Sequence, residues 1–356
     1  MFSKGDKTLR RHEQGRSTIS LSARTNEQGK SRIMASDRLR ASIVIVTYNG
    51  LRELTAPCLE SIFKNTPGSD YEVIVVDNAS TDGTRDYLKN LSDEEPRLTI
   101  VLNNLNRGFS AGNNDGIRIS RGENIVLLNN DTRVTKGWLS GLLNIFDSDP
   151  SIGLAGPVSN SVGNEQQIFI EASEPEDIIK EASRWCDMAS GDTFETEMLG
   201  FFCVAMRRSV VEKVGVLDES FGLGYFEDDD YCMRVKRAGY TLVCVEGVFV
   251  YHRGSASFVK VPDTDRNELS TRNKTLFEEK HRKEYKPRSL SELQMALIDS
   301  YLLKSGKSAP TAGMVYKINN KLKLLHGLRP PKGLIKRIRL SMKASYYRKL
   351  VASSAR

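Results

Sequence analysis

From residue 42 onward the chain keeps one rhythm: short β-branched apolar runs alternate with segments of helical spacing. "SIVIVTYN" (42–49) has apolar residues at consecutive positions, which leaves no polar face for water and predicts a strand buried on both sides. "LRELTAPCLESIFKNT" (51–66) follows with apolar spacing near 3.6. The pattern repeats with "YEVIVVDNASTDGT" then "TRDYLKNL", with "LTIVLNN" then "SAGNNDGIRIS", and with "NIVLLNND". Strands alternating with helices imply right-handed βαβ units and a mostly parallel sheet flanked by helices. "KGWLSGLLNIF" predicts a further helix. The rhythm loosens over 150–200 and returns at "GFFCVAMRRSVVEKVG" (strand, then helix), "YFEDDDYCMRVKRAG" (a helix closed by Gly239) and "YTLVCVEGVFVYH" (one or two strands).

Where those strands end is informative. In open α/β sheets ligands sit beyond the carboxyl ends of the strands. Here the ends read Thr47-Tyr48-Asn49, Asp77-Asn78, Asn103-Asn104 and Asn129-Asn130-Asp131. Asn and Asp cap turns routinely, but four polar ends along one edge point to a site. The first strand–helix turn holds only Gly50, so the dinucleotide pattern G-x-G-x-x-G is absent, as is a Walker G-x-x-x-x-G-K. Phosphates then need another partner. Mg²⁺ takes one or two carboxylates plus substrate phosphate oxygens, and Asp131 is placed to supply such a ligand. A second acidic group, Glu227 to Asp230, offers a general base, because a carboxylate in reach of an acceptor hydroxyl can take its proton. Adjacent carboxylates also repel, which raises at least one pKa. The competing reading is an acidic first turn that complements a helix dipole, and Asp230 is expected to have such a structural role.

The segments "VTYNG", "VVDNASTDGT", "NRGFSAGNNDGI", "LLNNDT", "GVLDESF", "YFEDDDYCMRVKRAGY" and "VYHRGSAS" occur in this order over about residues 41–258. Together they resemble the family 2 inverting glycosyltransferases of GT-A fold, especially the rhamnosyltransferase-like branch. The resemblance implies a Rossmann-like mixed sheet, a nucleoside-diphosphate sugar donor (UDP- or dTDP-linked), Mg²⁺ or Mn²⁺, and transfer to a hydroxyl of a glycan or lipid-linked glycan precursor. It implies that Asp77 binds the base or ribose, with Thr47, Tyr48, Asn49 and Asn130 in the same donor pocket and Asn114 closing over the nucleoside. Asp131 becomes the main metal ligand and His252 a further one, while Asn129 departs from the first Asp of the family's D-x-D motif. Asp228 takes the role of general base beside Glu227. Two other readings stay open: a sugar-nucleotide nucleotidyltransferase, and a catalytically silent nucleotide-sugar-binding module.

Charge separates the ends from the middle. Residues 301–356 hold 14 Lys/Arg and no acid, and residues 1–40 hold 10 basic and 4 acidic residues. That leaves 28 basic against 41 acidic for 41–300. Four segments are expected: a disordered basic leader (1–40, in which Met34 is an alternative start), a GT-A unit (41–258), a helical extension (259–300) and a basic amphipathic segment (301–356) in which Pro330-Pro331 separates two helical halves. In the last half Ile335, Ile338, Met342, Tyr346 and Leu350 recur every three or four residues, which suits a helix on anionic lipid. The competitors are packing on the chain's own acidic body and non-specific nucleic-acid binding; no specific nucleic acid is expected. There is no run of 18 apolar residues, no apolar stretch of a secretory signal, and no C-x-x-C among five cysteines. These imply a reduced, cytoplasmic protein, peripheral at the inner face of the cell membrane.

Overall fold

The computed structural model describes residues 39–254, 263–286, 289–306, 309–328 and 334–354. The leader up to residue 38 with Met34, the end of "VYHRGSAS" and the Pro330-Pro331 break lie outside the described residues.

The β-branched runs form strands because their side chains fill both faces of a covered sheet. Strands β1 (Ala41–Thr47), β2 (Tyr71–Asn78), β3 (Leu98–Asn103) and β4 (Asn124–Leu128) are joined by α1 (Ala56–Asn65), α2 (Thr84–Glu94) and α3 (Gly108–Ile119). They lie parallel in the order β3-β2-β1-β4. A short β5 (Thr132–Val134) and α4 (Trp138–Ser148) follow, then β6 (Ile152–Val158), α5 (Pro175–Met188), β7 (Thr193–Glu195), β8 (Cys203–Arg207) and α6 (Arg208–Val214). The acidic segment begins α7 (Glu227–Arg237), and β9 (Thr241–His252) is a single 12-residue strand. The sheet continues β4-β8-β6-β9-β5, with β8 antiparallel to β4 and β6, and β6 parallel to β9. The whole is a mixed α/β sheet with apolar cores on both faces.

Helix α3 explains the glycines of "NRGFSAGNNDG". A Cβ on Gly112 would stand 2.8 Å from Val46 Cγ1, and Cβ atoms on Gly116 and Gly108 would overlap Val44 and the Gly222 carbonyl. These three positions, four residues apart on one helix face, let α3 lie directly on β1 and the 222 loop. The site's floor is drawn close by that contact.

Beyond β9 come α8 (Asp263–His281), α9 (Leu290–Ser305), α10 (Ala312–Gly327) and α11 (Leu334–Ser354). Helix α10 is held to the body by buried charge. Lys317 Nζ lies 2.6 Å from Asp192 and 2.9 Å from Glu246, and Tyr301 donates to the other Glu246 oxygen. Lys321, fully buried, donates to the carbonyls of Glu165 (2.8 Å) and Gln167 (2.6 Å), and burial pulls its pKa down to about 8. For α10, therefore, the basic segment does pack on the acidic body.

Candidate functional site

The crevice lies where strand order reverses, between the ends of β1 and β4, the usual place for a ligand in such sheets. Five non-glycine residues among those described adopt positive φ; Asn49 (57°) and Ala79 (67°) follow the ends of β1 and β2, and Tyr225 (71°) and Phe226 (72°) lead into the acidic turn of α7. Backbone held in the left-handed region costs on the order of 1–3 kcal/mol per residue, and such strain gathers at functional sites.

At the end of β1, Thr47 Oγ1 lies 2.6 Å from Thr55 Oγ1, and Asn130 Nδ2 donates to both hydroxyls at 3.2 and 3.1 Å. Asn130 thus ties β4 to β1 from inside, and Thr47 is buried behind the surface. Asn49 Oδ1 accepts from Thr81 N at 2.8 Å, and Asp82 Oδ2 accepts from the amides of Gly50 (2.6 Å) and Leu51 (3.1 Å). Burial opposes the Asp82 charge, but bonds from Thr84, Leu51 and Gly50 outweigh it and lower its pKa. Tyr48 stands out from this frame, 50% exposed. Asp77 is fully buried; its Oδ1 accepts from Arg85 Nε (2.6 Å) and Ser80 N (3.1 Å), while Oδ2 has no hydrogen-bond partner. Asn103 and Asn78 bond to each other at 3.0 Å inside the protein. Asn114 is also internal: its Nδ2 donates to Leu217 O and Glu219 Oε1, both at 2.9 Å, and its Oδ1 accepts from Leu217 N at 3.0 Å. It shapes the 217–219 segment.

The three residues after β4 divide the work. Asn129 bonds through its backbone to Phe202 O (2.8 Å), and Asn130 locks the crevice. Asp131 faces His252 at the end of β9, brought beside it by the β5–β9 pairing, with Oδ1 3.3 Å from Nε2. That Oδ1 is buried and makes no aligned hydrogen bond. His252 Nδ1 lies 2.7 Å from Ser161 O; a carbonyl only accepts, so Nδ1 carries the hydrogen and Nε2 points its lone pair or proton at Asp131. Burial works against the imidazolium, but the Asp131 carboxylate outweighs it and raises the His252 pKa. Phe202 stacks on the ring, centroids 5.0 Å apart.

The turn carrying Phe202 links this pair to α7. On its other side Phe201 packs against Tyr231 (5.9 Å), and Leu199 N bonds Cys232 Sγ at 3.5 Å. All four acids occupy the first turn of α7. Asp230 is structural, as its position in the run suggested: it binds Arg234 (2.8 Å), His281 (2.8 Å) and Lys280 (2.7 Å), joining α7 to α8. Asp228 Oδ1 accepts from Asp229 N at 2.9 Å, which leaves Oδ2 for other work. Glu227 is 8% exposed and its Oε2 lacks a partner. Burial first, and repulsion from Asp228 next, lift the carboxyls of Glu227 and Asp229 to about 8; burial raises Asp228 as well.

Sequence reasoning missed the support for this turn. Asn273 on α8 donates to the carbonyls of Phe221 (2.7 Å), Gly224 (2.8 Å) and Tyr225 (3.1 Å), fixing the strained approach to α7. Phe277 and Tyr285 pack on Phe226 at 5.8 and 4.8 Å. The partners are about fifty residues apart, so no local pattern announces them.

Among the described residues no three His, Cys, Asp or Glu side chains form a group able to hold a metal. Asp131 and His252 nevertheless suit a divalent ion that takes its remaining oxygens from a diphosphate: one carboxylate oxygen lacks a hydrogen bond, and the imidazole is oriented through its other nitrogen.

A 3-2-1-4 parallel sheet extended by a mixed set of strands, with an Asp at the end of β4 and acids opening a later helix, defines a GT-A-type fold. Residues 42–215 match the family model for glycosyl transferase family 2, and the chain carries a domain of that family. It is 30% identical to the poly(ribitol-phosphate) beta-glucosyltransferase of Bacillus spizizenii over 40% of this chain and 23% of that protein. It is also 30% identical to the GalNAc(5)-diNAcBac-PP-undecaprenol beta-1,3-glucosyltransferase of Campylobacter jejuni over 29% of this chain and 33% of that protein. The chain spans only about a quarter to a third (24%, 23% and 32%) of the length of the first curated relatives it matches. A crystal structure of GalNAc-T7 with UDP, GalNAc and Mn²⁺ superposes with a TM-score of 0.53 at 15% identity, over 69% of this chain and 49% of that one, which shows the shared fold.

Proposed function

We propose that the protein transfers a sugar, with inversion, from a nucleoside-diphosphate sugar to a hydroxyl of a glycan or lipid-linked glycan. One observation carries this reading: the buried carboxylate oxygens without a hydrogen bond, among the described residues, belong to Asp77, Asp131 and Glu227. Buried polar atoms are nearly always paired, and these three fall at the places where donor, metal and acceptor are expected. The names of the two relatives, a poly(ribitol-phosphate) glucosyltransferase and a glucosyltransferase of an undecaprenol-linked glycan, support the acceptor class.

Asp77 Oδ2 receives a hydrogen bond from base or ribose, Tyr48 stacks over the nucleoside, and Asn49 with Asp82 keeps the loop beneath them in place. Asp131 and His252 would hold Mg²⁺ or Mn²⁺, which when bound would supply positive charge to offset the negative charge growing on the leaving diphosphate. Asp228 Oδ2 accepts the proton of the acceptor hydroxyl while that oxygen bonds to the anomeric carbon and the bond to the diphosphate breaks. A single displacement inverts the anomeric centre. Burial raises the pKa of Asp228 as well, which makes its carboxylate a stronger proton acceptor than a free one.

The test is Asp228→Asn with a panel of UDP-, dTDP- and GDP-sugars and Mn²⁺. The variant keeps donor binding and loses transfer by two to four orders of magnitude, the usual cost of a missing general base. Near-normal turnover removes the role. Pyrophosphate release from a sugar phosphate and nucleoside triphosphate would instead identify a nucleotidyltransferase.

A further inference from the structure

The basic C-terminal segment has two fates in this fold. Helix α10 is consumed by internal packing, but α11 is apolar on two opposite sides. Its inner stripe is Leu340, Ala344 and Tyr347, packed towards α9 and α10, with Tyr347 only 4% exposed. Lys343 and Tyr347 both bind Asp299 on α9, and Lys336 binds Glu292 at 2.8 Å. At 100° per residue, Ile338, Met342 and Tyr346 fall on the side directly opposite. They are 50%, 69% and 60% exposed. Burial against the protein's own body is therefore already achieved, and the outer stripe is left over.

We propose that this outer face of α11 docks on an anionic lipid surface. Arg339, Arg348 and Lys349 are exposed and make no ion pair among the described residues. No acidic residue occurs anywhere in 301–356. A second copy of the chain would bring two cationic faces together, whereas an anionic headgroup layer neutralises the cations and admits Ile338 and Met342 among the acyl chains, with Tyr346 at the interface. Ile335 and Leu350, which the sequence puts on the same stripe, have side chains outside the described residues. The proposal deepens the reading of a membrane-seated acceptor by naming the surface that reaches it.

Full-length protein is sedimented with phosphatidylcholine vesicles and with vesicles containing 30% phosphatidylglycerol, over a salt series. The expected result is binding to the anionic vesicles alone, weakening with salt. Each cation near such a surface multiplies partitioning roughly fivefold, so Arg339→Gln with Lys349→Gln weakens binding about 25-fold. Ile338→Ser with Met342→Ser weakens it as well. These positions are exposed, so melting temperatures stay at the wild-type value. Wild-type protein that ignores anionic vesicles, or variants that bind like wild type, overturn the proposal. Light scattering that shows a dimer broken by Ile338→Ser with Met342→Ser gives the face to a second copy and overturns it too. Transfer to a soluble acceptor is measured on the same samples: loss of vesicle binding alone leaves it intact, and failure of the transferase reading leaves vesicle binding intact.

Discussion

Replacing Glu227 by Gln should make the protein more stable, and the reason lies in where the side chain sits. Glu227 opens α7 with one oxygen buried and unpaired, next to Asp228 and Asp229, and burial with that repulsion raises its pKa from 4.5 to about 8. Below pH 4.5 the acid is protonated whether the chain is folded or not, and it costs nothing. Above pH 4.5 the unfolded chain ionises while the folded one holds its proton, so stability falls as pH rises and levels off near pH 8. Each pH unit costs roughly 1.4 kcal/mol, so between 4.5 and 7 the loss is on the order of 3 kcal/mol. A glutamine amide that finds no partner gives back about 1 kcal/mol, leaving a net gain near 2 kcal/mol. For a chain of this size that is about 3 °C in Tm. The assay is thermal unfolding of wild type and Glu227→Gln at pH 4.5, 6, 7 and 8. The variant should melt slightly lower than wild type at pH 4.5, cross it at about pH 5, and stand progressively higher up to pH 8. A difference independent of pH, or a variant that melts lower at pH 8, would falsify the argument that this carboxyl is kept at a cost to the fold. Transfer activity should fall in the same variant, since stability and function then pull against each other.

Two further outcomes follow from the same geometry. Asp131→Ala should abolish the Mn²⁺ dependence of nucleotide-sugar binding, read by calorimetric titration of donor with and without the ion, while Tm changes little; unchanged ion dependence removes Asp131 from the metal site. Asp230→Asn should destabilise by about 3–5 kcal/mol, because Arg234, Lys280 and His281 lose a shared buried partner; denaturant unfolding measures it, and a loss below 1 kcal/mol refutes the anchoring role.

The sequence alone determined the α/β class, the run of parallel strands and the identity of the polar strand ends, because periodicity and strand-terminal polarity are local properties that any tertiary context must respect. It also marked the acidic turn and the outward stripe of α11. Tertiary structure decided how each of those polar residues is engaged. Thr47, Asn130 and Asn114 bond inward, to Thr55 and to the 217–219 segment, while Asp77 and Glu227 keep an oxygen without a hydrogen bond and Asp131 turns its Oδ1 to His252. It decided too that His252 meets Asp131, through the β5–β9 pairing, and that Asn273 fixes the approach to α7. The physical reason is that a hydrogen bond has one partner at one distance. Which of several identical amides or carboxylates is left free depends on residues fifty to a hundred positions away, and no local pattern encodes that.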